Sequence, residues 1–317
     1  MPLRIHGGRD ASPGEYPYVV RLEIQYFANF TNNTLVARHD HLCTASALSA
    51  TWAITAAHCI TDLSAYYIED HYTEVKLVIR YGHVDSSTWT NNTFSDVITT
   101  VPYPLFIIAD GTFNDYFVSR NDIGLVQTTP MHLISYIKLS AVDYLSLYGQ
   151  EAIFAGFGIT TEKLPEGEIV TDTLQLRKPL QILSVMITKC VKGLNIRPSV
   201  CLAPRCGHAV TACGGDSGGP LIHPSGIAGV LSIGPGTGHC MDSAPKSLVH
   251  YAGGIIPISP YIEWIHSYKM NNSPTRGCAS NHGSNPTLEN CNSRRAYVLL
   301  GREPRRKQER VYCTPCE

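Results

Sequence analysis

The stretch Cys213-Gly-Gly-Asp-Ser217-Gly-Gly-Pro-Leu221 decides how the rest of this 317-residue chain is interpreted. A serine hydroxyl becomes a strong nucleophile only when a base removes its proton and nearby donors stabilise the oxyanion that forms. Glycines on both sides of Ser217 let the backbone turn sharply, so that successive N–H groups can point at one oxygen atom. The segment therefore predicts a nucleophilic serine in a tight turn.

Two segments further up the chain supply the residue types that such a serine needs. His58 lies in Trp52-Ala-Ile-Thr-Ala-Ala-His58-Cys59, a run of small residues next to a cysteine that Cys43 could bridge. A short closed loop of this kind would hold the imidazole in place. Asp122 begins the apolar segment Asn121-Asp122-Ile-Gly-Leu-Val126, and a buried carboxylate needs a partner such as an imidazole N–H.

The composition indicates a folded, loop-rich and exported protein. A net charge of −1 gives no reason to expect nucleic acid or an anionic membrane as a partner, and no segment approaches the ~20 apolar residues of a membrane span. Eleven cysteines indicate an oxidising compartment. Glycosylation sequons point the same way, at Asn29, Asn32, Asn91 and Asn271. We therefore expect a secreted, extracellular glycoprotein without a cofactor, whose start at Met1 lacks a signal peptide through truncation or a misplaced start.

Short β-runs separated by turn residues occupy the chain from Tyr18 to about Ile258, which favours an all-β barrel or sandwich. The clearest runs begin at Val19, Val75, Ile153 and Gly226. One helix is predicted at the end of this region, capped by Ser259 with Pro260 in its first turn.

The character of the sequence changes after about Asn271. Residues 276–317 contain eight Arg or Lys, four Glu and four cysteines, with too few apolar residues for a core of their own. We expect 271–317 to be a mostly disordered basic tail, with a small disulfide-stapled appendage as the alternative. The Cys313-Thr-Pro-Cys316 pair lacks the other half of a zinc site, so no metal is predicted.

Taken together, the three segments resemble the chymotrypsin/trypsin-like serine protease family, in the chain order His58, Asp122, Ser217. The resemblance covers roughly residues 4–268. It implies two six-stranded antiparallel Greek-key β-barrels, roughly 18–133 and 134–258, in a protease domain of residues 5–270 with a C-terminal helix. It further implies that Ser217 attacks the scissile carbonyl, that His58 transfers the proton and that Asp122 orients His58. The N–H groups of Gly215 and Ser217 match the family's oxyanion hole.

The resemblance extends to activation and to disulfides. Arg4-Ile5-His-Gly-Gly8 resembles the family's activation site, so that residues 1–4 are a residual propeptide and the freed Ile5 amine pairs with Asp216. Ala155-Gly-Phe-Gly158 resembles the family's GWG turn. Three family disulfides are implied: Cys43–Cys59, Cys190–Cys201 and Cys213–Cys240. A fourth family position falls on Ala152 and His223, so that disulfide is absent, and Cys206 has no family partner.

The family's specificity pocket falls on Thr211, Ser232, Gly234 and a fourth residue that two alignments place differently. Counting back from Trp264 gives Gly253, which leaves an uncharged pocket for large apolar side chains. Counting forward from Cys240 gives Lys246, which would select acidic side chains. We prefer Gly253, because the alignment with the family then needs no gap in the strand that leads into the last helix. Thr211 replaces the aspartate that would recruit Arg or Lys.

Two departures from the family concern the first barrel. The interval from His58 to Asp122 is longer than usual, which indicates insertions in this barrel, with 29–33 and 65–71 as candidates. Glu69, Asp70 and Glu74 lie near the family's calcium loop but lack its regular ligand spacing, so we interpret them as a solvated acidic face.

The resemblance implies a chymotrypsin- or elastase-like endopeptidase, monomeric, whose partners are protein or peptide substrates, an activating protease and serpin-type inhibitors. One alternative is a catalytically silent homologue that binds a partner through its loops. Another is a misprocessed product that never folds productively.

Overall fold

The computed structural model describes residues 8–29, 35–61, 72–82, 94–110, 117–158, 179–190, 195–204, 211–234 and 252–271. These residues belong to one unit, Met1–Asn271. Several predictions concern residues outside these ranges, namely Arg4, Ile5, Asn32, 65–71, Asn91, Cys206, Cys240, Lys246 and the tail 272–317.

Six antiparallel strands from the N-terminal half close into a first barrel. Their order around the barrel is β2-β3-β4-β9-β6-β5, with β5 pairing back onto β2. The strands are β2 (Val19–Asn29), β3 (Leu35–Ser49), β4 (Trp52–Thr55), β5 (Tyr72–Arg80), β6 (Phe94–Pro102) and β9 (Gly124–Thr128). Its core contains side chains such as Leu22, Ile24 and Ile79, none of which is exposed to solvent. Burial of each such side chain stabilises the barrel by about 1.5–3 kcal/mol.

The C-terminal half forms a second barrel of the same kind. Six strands are antiparallel in the order β11-β10-β14-β15-β16-β13, and a β11–β13 pairing closes the ring. They are β10 (Glu151–Gly156), β11 (Gln181–Thr188), β13 (Val200–Pro204), β14 (Pro220–His223), β15 (Gly226–Ile233) and β16 (Gly253–Pro257). The short strand β1 (Arg9–Asp10) adds to the outer edge of β11. The predicted two-barrel, all-β fold is therefore confirmed.

A hydrophobic cluster joins the two barrels to the last helix. Trp52 and Ile54 of the first barrel belong to it, together with Val230 of the second barrel and Ile265 of the helix. Helix α1 (His58–Thr61) is a single turn, and helix α2 (Ile262–Asn271) follows a short 3₁₀ turn, Ser259–Tyr261. The predicted C-terminal helix is confirmed, and no helix among the described residues is long and apolar enough to cross a membrane.

The predicted cap of this helix is wrong. The residue at the N-cap position of the 3₁₀ turn is Ile258, and no side chain caps it. The hydroxyl of Ser259 instead accepts a hydrogen bond from the backbone N–H of Tyr144 at 3.2 Å. The Ser259 hydroxyl, which the local sequence pattern predicted to cap the helix, therefore binds a residue that is distant in the chain.

A three-stranded sheet crosses from one barrel to the other. It consists of β7 (Ile107–Asp110), β8 (Phe117–Arg120) and β12 (Asn195–Arg197), in the order β12-β8-β7. The β7–β8 pair precedes Asp122 in the chain, and β12 precedes the second-barrel strand β13. Part of the long interval between His58 and Asp122 is therefore this pair of strands, which the sequence did not predict.

Candidate active site

His58 and Asp122 meet because of the register between β4 and β9. Thr55, the last residue of β4, pairs with Gly124, the first residue of β9. The residues after β4 and those before β9 therefore emerge at the same end of the two strands. A Cβ on Gly124 would lie 2.5 Å from Cδ1 of Ile60, so a glycine at this position lets helix α1 approach the strand closely.

Asp122 binds both the ring and the backbone of His58. Its Oδ2 lies 2.7 Å from Nδ1 of the imidazole, and its Oδ1 accepts the backbone N–H of His58 at 2.8 Å. Asp122 is 1% exposed, so its carboxylate is shielded from water, whereas the side chain of His58 is 26% exposed. Because a carboxylate can only accept, Nδ1 carries the proton and Nε2 is left with a lone pair. Nε2 can therefore act as a base.

Two hydroxyl groups extend this hydrogen-bonded chain into the second barrel. Ser232 in β15 donates to Oδ2 of Asp122 at 2.6 Å. Ser119 in β8 lies 3.3 Å from Ser232, oxygen to oxygen, and both residues are buried. Since the proton of Ser232 is committed to Asp122, the hydroxyl of Ser119 is the donor to Ser232.

Ser217 is half-buried and lies in the loop before β14. Its backbone carbonyl accepts the N–H of Thr44 in β3 at 2.9 Å, which connects the Gly215–Ser217 loop to the first barrel. Nε2 of His58 lies 3.6 Å from Sγ of Cys59. Among the contacts of the described residues there is no hydrogen bond between Nε2 of His58 and Oγ of Ser217. Such catalytic hydrogen bonds are often long in unliganded enzymes and tighten when substrate binds.

Three of the five N–H groups from Gly215 to Gly219 are bound within the protein. That of Asp216 donates to Cys213, that of Gly218 to Leu231 and that of Gly219 to Asp216. The N–H groups of Gly215 and Ser217 make no hydrogen bond to any other described residue. They are the two groups predicted as the oxyanion hole. Gly215 has a φ of +87°, a conformation that favours glycine.

The carboxylate of Asp216 is fully buried next to the predicted GWG-like turn. Gly158 and Cys213 donate their N–H groups to its two oxygens at 2.6 and 2.9 Å. Any Cβ on Gly156 or Gly158 would collide with this carboxylate, so both glycines of the turn provide the space that it occupies. Burial raises the pKa of Asp216 from 3.8 to about 7, and the two N–H groups oppose that rise.

The residues predicted for the specificity pocket lie around Ala212. Thr211 is buried next to it, and the N–H of Ala212 donates to the carbonyl of Ala252 at 2.8 Å. A Cβ on Gly253 would lie 3.5 Å from that of Ala212, and one on Gly234 would collide with the carbonyl of Ala212. Gly253 is therefore close to Thr211 and Gly234.

Two of the implied disulfides are present. Cys43 bridges Cys59 with an S–S distance of 2.06 Å, and Cys190 bridges Cys201. Cys213 is also disulfide-bonded. The two sulfurs of the first bridge lie close to the His58 ring, but a disulfide provides no thiolate to hold a metal.

Sequence reasoning missed three residues that contact the site. Thr44 and His41, both in β3, hydrogen bond to the carbonyl of Gly215 at 2.9 and 3.0 Å. Ser119 reaches Asp122 through Ser232. Thr44 and His41 lie one and two residues from Cys43, and Ser119 lies two residues before Asn121, but no sequence pattern assigned these side chains to the site.

Comparisons with known proteins agree with the two-barrel fold. The family model described as Trypsin matches residues 5–265 of the chain. The chain is 29% identical over 244 residues to the Suppressor of tumorigenicity 14 protein homolog of Bos taurus, a match that covers 74% of this chain and 25% of that protein. It is 24% identical over 275 residues to Transmembrane protease serine 5 of Homo sapiens, covering 84% of this chain and 52% of that protein.

A third similar protein is Serine protease 1 of Drosophila melanogaster, 27% identical over 270 residues that cover 83% of this chain and 84% of that protein. The chain spans about a quarter of the bovine protein and about half of the human one. The names of these relatives support the predicted class, a serine endopeptidase and thus a hydrolase.

Proposed function

Because the chain belongs to the trypsin family of serine proteases, we propose that it is a secreted endopeptidase that cleaves peptide bonds through Ser217, His58 and Asp122. The observation that carries the proposal is the double hydrogen bond from Asp122 to the ring and backbone of His58. It fixes the tautomer in which Nε2 accepts a proton.

In the first half of the reaction, His58 takes the proton of Ser217 as the oxygen attacks the scissile carbonyl. The carbonyl oxygen becomes negatively charged and is stabilised by the N–H groups of Gly215 and Ser217, the two in this loop that donate to no other described residue. The imidazolium that forms is stabilised by Asp122. It then protonates the leaving amine, so that the peptide bond breaks and an acyl-enzyme remains. Water, deprotonated by His58, hydrolyses the acyl-enzyme and restores Ser217.

The proposed specificity is for large apolar or aromatic side chains, with an uncharged pocket formed by Thr211, Gly234 and Gly253. The position of Gly253 beside Ala212 supports it as the fourth pocket residue. The hydroxyl of Ser232 is committed to Asp122 and therefore contributes no free donor. A tyrosyl or phenylalanyl reporter peptide should be cleaved at least about 10-fold faster than an arginyl one, since burying an unpaired guanidinium costs several kcal/mol. Faster cleavage after arginine would contradict this pocket.

Activation is proposed to follow cleavage after Arg4. The new Ile5 amine would bring a positive charge to Asp216, a carboxylate whose burial is otherwise uncompensated by a cation among the described contacts. The chemistry supports the pairing, because an ammonium group stabilises the ionised form that burial disfavours. The disulfides and sequons support an extracellular location and glycosylation. The proposal also includes a monomeric state, an activating protease and inhibition by serpin-type proteins.

The proposed function is tested by labelling with a serine-directed fluorophosphonate. The full-length chain, cleaved after Arg4, should be labelled, whereas the uncleaved chain should react much more slowly. Ser217→Ala should abolish labelling, and Ser267→Ala, on the exposed face of helix α2, should leave it unchanged. If the cleaved and folded protein is not labelled, the non-catalytic homologue becomes the better description.

A further inference from the structure

Thr44 connects the nucleophile loop to two other parts of the molecule. Its side chain is fully buried, and its hydroxyl donates to the carbonyl of Gly215 at 2.9 Å while accepting the N–H of Phe157 at 3.0 Å. Its backbone N–H donates to the carbonyl of Ser217. One residue of the first barrel thus holds both ends of the Gly215–Ser217 segment and the turn that encloses Asp216.

The hydroxyl of Thr44 acts both as a donor and as an acceptor. A threonine hydroxyl has one proton and two lone pairs, so the proton goes to Gly215 and a lone pair receives the proton of Phe157. The second lone pair of the Gly215 carbonyl is taken by Nε2 of His41 at 3.0 Å. Burial, reinforced by the charge of Arg21, lowers the pKa of His41 to about 3, so its ring is neutral and Nε2 carries the donated proton.

Thr44 is itself held in place. Its carbonyl accepts the hydroxyl of Thr55 at 2.8 Å, and β3 pairs it with Arg21 in β2. The guanidinium of Arg21 lies 4.4 Å from the ring centre of Phe157, which packs the far side of the bridge. A Cβ on Gly218 would collide with both threonines, so the loop after Ser217 is closely packed against them.

The carbonyl of Gly215 shares its peptide plane with the N–H of Asp216, so two hydrogen bonds to that carbonyl restrain the plane that lies between the N–H groups of Gly215 and Ser217. Gly215 has no side chain to limit its rotation, and its N–H must point at the oxyanion if the loop is to stabilise the transition state. We propose that Thr44 is a positioning residue for the oxyanion hole, which holds the Gly215 carbonyl so that the adjacent N–H groups remain aimed at the reacting oxygen. The inference rests on the proposed function, because the oxyanion arises only in that reaction.

The test compares Thr44→Val with Thr44→Ser in the full-length chain cleaved after Arg4. Valine keeps the shape and removes the hydroxyl, whereas serine keeps the hydroxyl. With rates expressed per titrated active site, valine should lower kcat on an apolar reporter peptide by about 10- to 100-fold, less than the loss of an oxyanion donor itself. KM should change less than about twofold, because ground-state binding is untouched. Serine should restore kcat to within about threefold of the wild type.

The matched control is Thr128→Val. The hydroxyl of Thr128 is also buried but has no hydrogen-bond partner among the described residues, so its removal should leave kcat unchanged. Equal kcat values for Thr44→Val and the wild type would overturn the inference, and so would a failure of serine to restore the rate.

Hydrogen exchange at the Phe157 amide separates this inference from the proposed function. Thr44→Val should speed exchange at that amide at least about 10-fold, whereas Thr44→Ser should not. Unchanged exchange in the valine variant would overturn the bridge itself. If the wild type neither cleaves nor labels, the proposed function fails and the catalytic role of Thr44 fails with it, and the exchange data still decide whether the bridge exists.

Discussion

The two halves of the candidate site are held together by different kinds of interaction. In the first-barrel half, one buried carboxylate binds His58 twice and accepts the hydroxyl of Ser232. In the second-barrel half, the Gly215–Ser217 loop is held by backbone carbonyls and by the neutral groups of Thr44 and His41. One half depends on a single ionised group, and the other on several weaker contacts.

This difference predicts how each half should respond to the substitution of a single residue. Hydrogen bonds to a charged group are roughly twice as strong as neutral ones, so the loss of Asp122 should remove most of what orients His58. The loop has several holders, so no single neutral contact is expected to matter as much. Substitutions in the two halves should therefore differ in size as well as in kind.

The largest effect is expected for Asp122→Asn. An asparagine amide offers a donor toward Nδ1, which favours the tautomer with its proton on Nε2 and removes the base. We expect kcat to fall by about 10⁴-fold, a magnitude known for this substitution in the family's template enzyme and not one deduced from this structure. It is measured on an apolar reporter peptide with protein shown to be folded by circular dichroism. A loss below about 100-fold would mean that contacts other than the carboxylate of Asp122 orient His58.

An intermediate effect is expected for Asp216→Asn, measured as stability of the uncleaved chain. The pKa of Asp216 is about 7 in the folded protein, against 3.8 for an ordinary aspartate as in the unfolded chain. Between pH 3.8 and pH 7 the folded state therefore binds more protons than the unfolded state. Its contribution to the free energy of unfolding is therefore lost as pH rises from about 4 to 7, by about 4 kcal/mol in total.

Urea denaturation of the uncleaved chain at several pH values between 4 and 7 checks this prediction. The wild type should lose stability with rising pH relative to Asp216→Asn, which has no carboxyl group to ionise. If the free energy of unfolding changes with pH in the same way in both proteins, other groups of the second-barrel half already stabilise the ionised carboxylate before cleavage.

The smallest effect is expected for Ser119→Ala. The hydroxyl of Ser119 contacts Ser232 rather than Asp122 itself, so its loss should lower kcat only about two- to fivefold and stability by about 1 kcal/mol. Ser95→Ala is a suitable control, because Ser95 is a buried serine that donates to Pro130 in the first barrel. It should cost similar stability without changing kcat. A decrease of more than about 50-fold for Ser119→Ala would place Ser119 among the principal supports of the first-barrel half.

Much of the fold could be predicted from sequence because its signals are local. The β-runs beginning at Val19, Val75, Ile153 and Gly226 all lie in strands of the structure, and the apolar spacing after Tyr261 predicted the last helix. The pairing of β8 with β12 had no such signal, since neither strand contains a motif and they are far apart in the chain.

The candidate site divides in the same way. His58, Asp122 and Ser217 could be proposed because their chemistry demands particular residue types in particular local settings. Thr44 could not, because its hydroxyl acquires a role only when β3 approaches the Gly215 carbonyl and the Phe157 amide from another barrel. The misplaced cap at Ser259 has the same cause, since Tyr144 competes for its oxygen from a distance.

The parallel pairing of Val118–Arg120 with Asn195–Arg197 has a mechanical consequence. It continues into a hydrogen bond from the N–H of Asn121 to the carbonyl of Arg197, one residue before Asp122. Any hinge-like opening between the barrels would have to break these backbone bonds before the cleft could widen. The backbone next to Asp122, which binds the ring of His58, is therefore braced against the chain that leads into the second barrel.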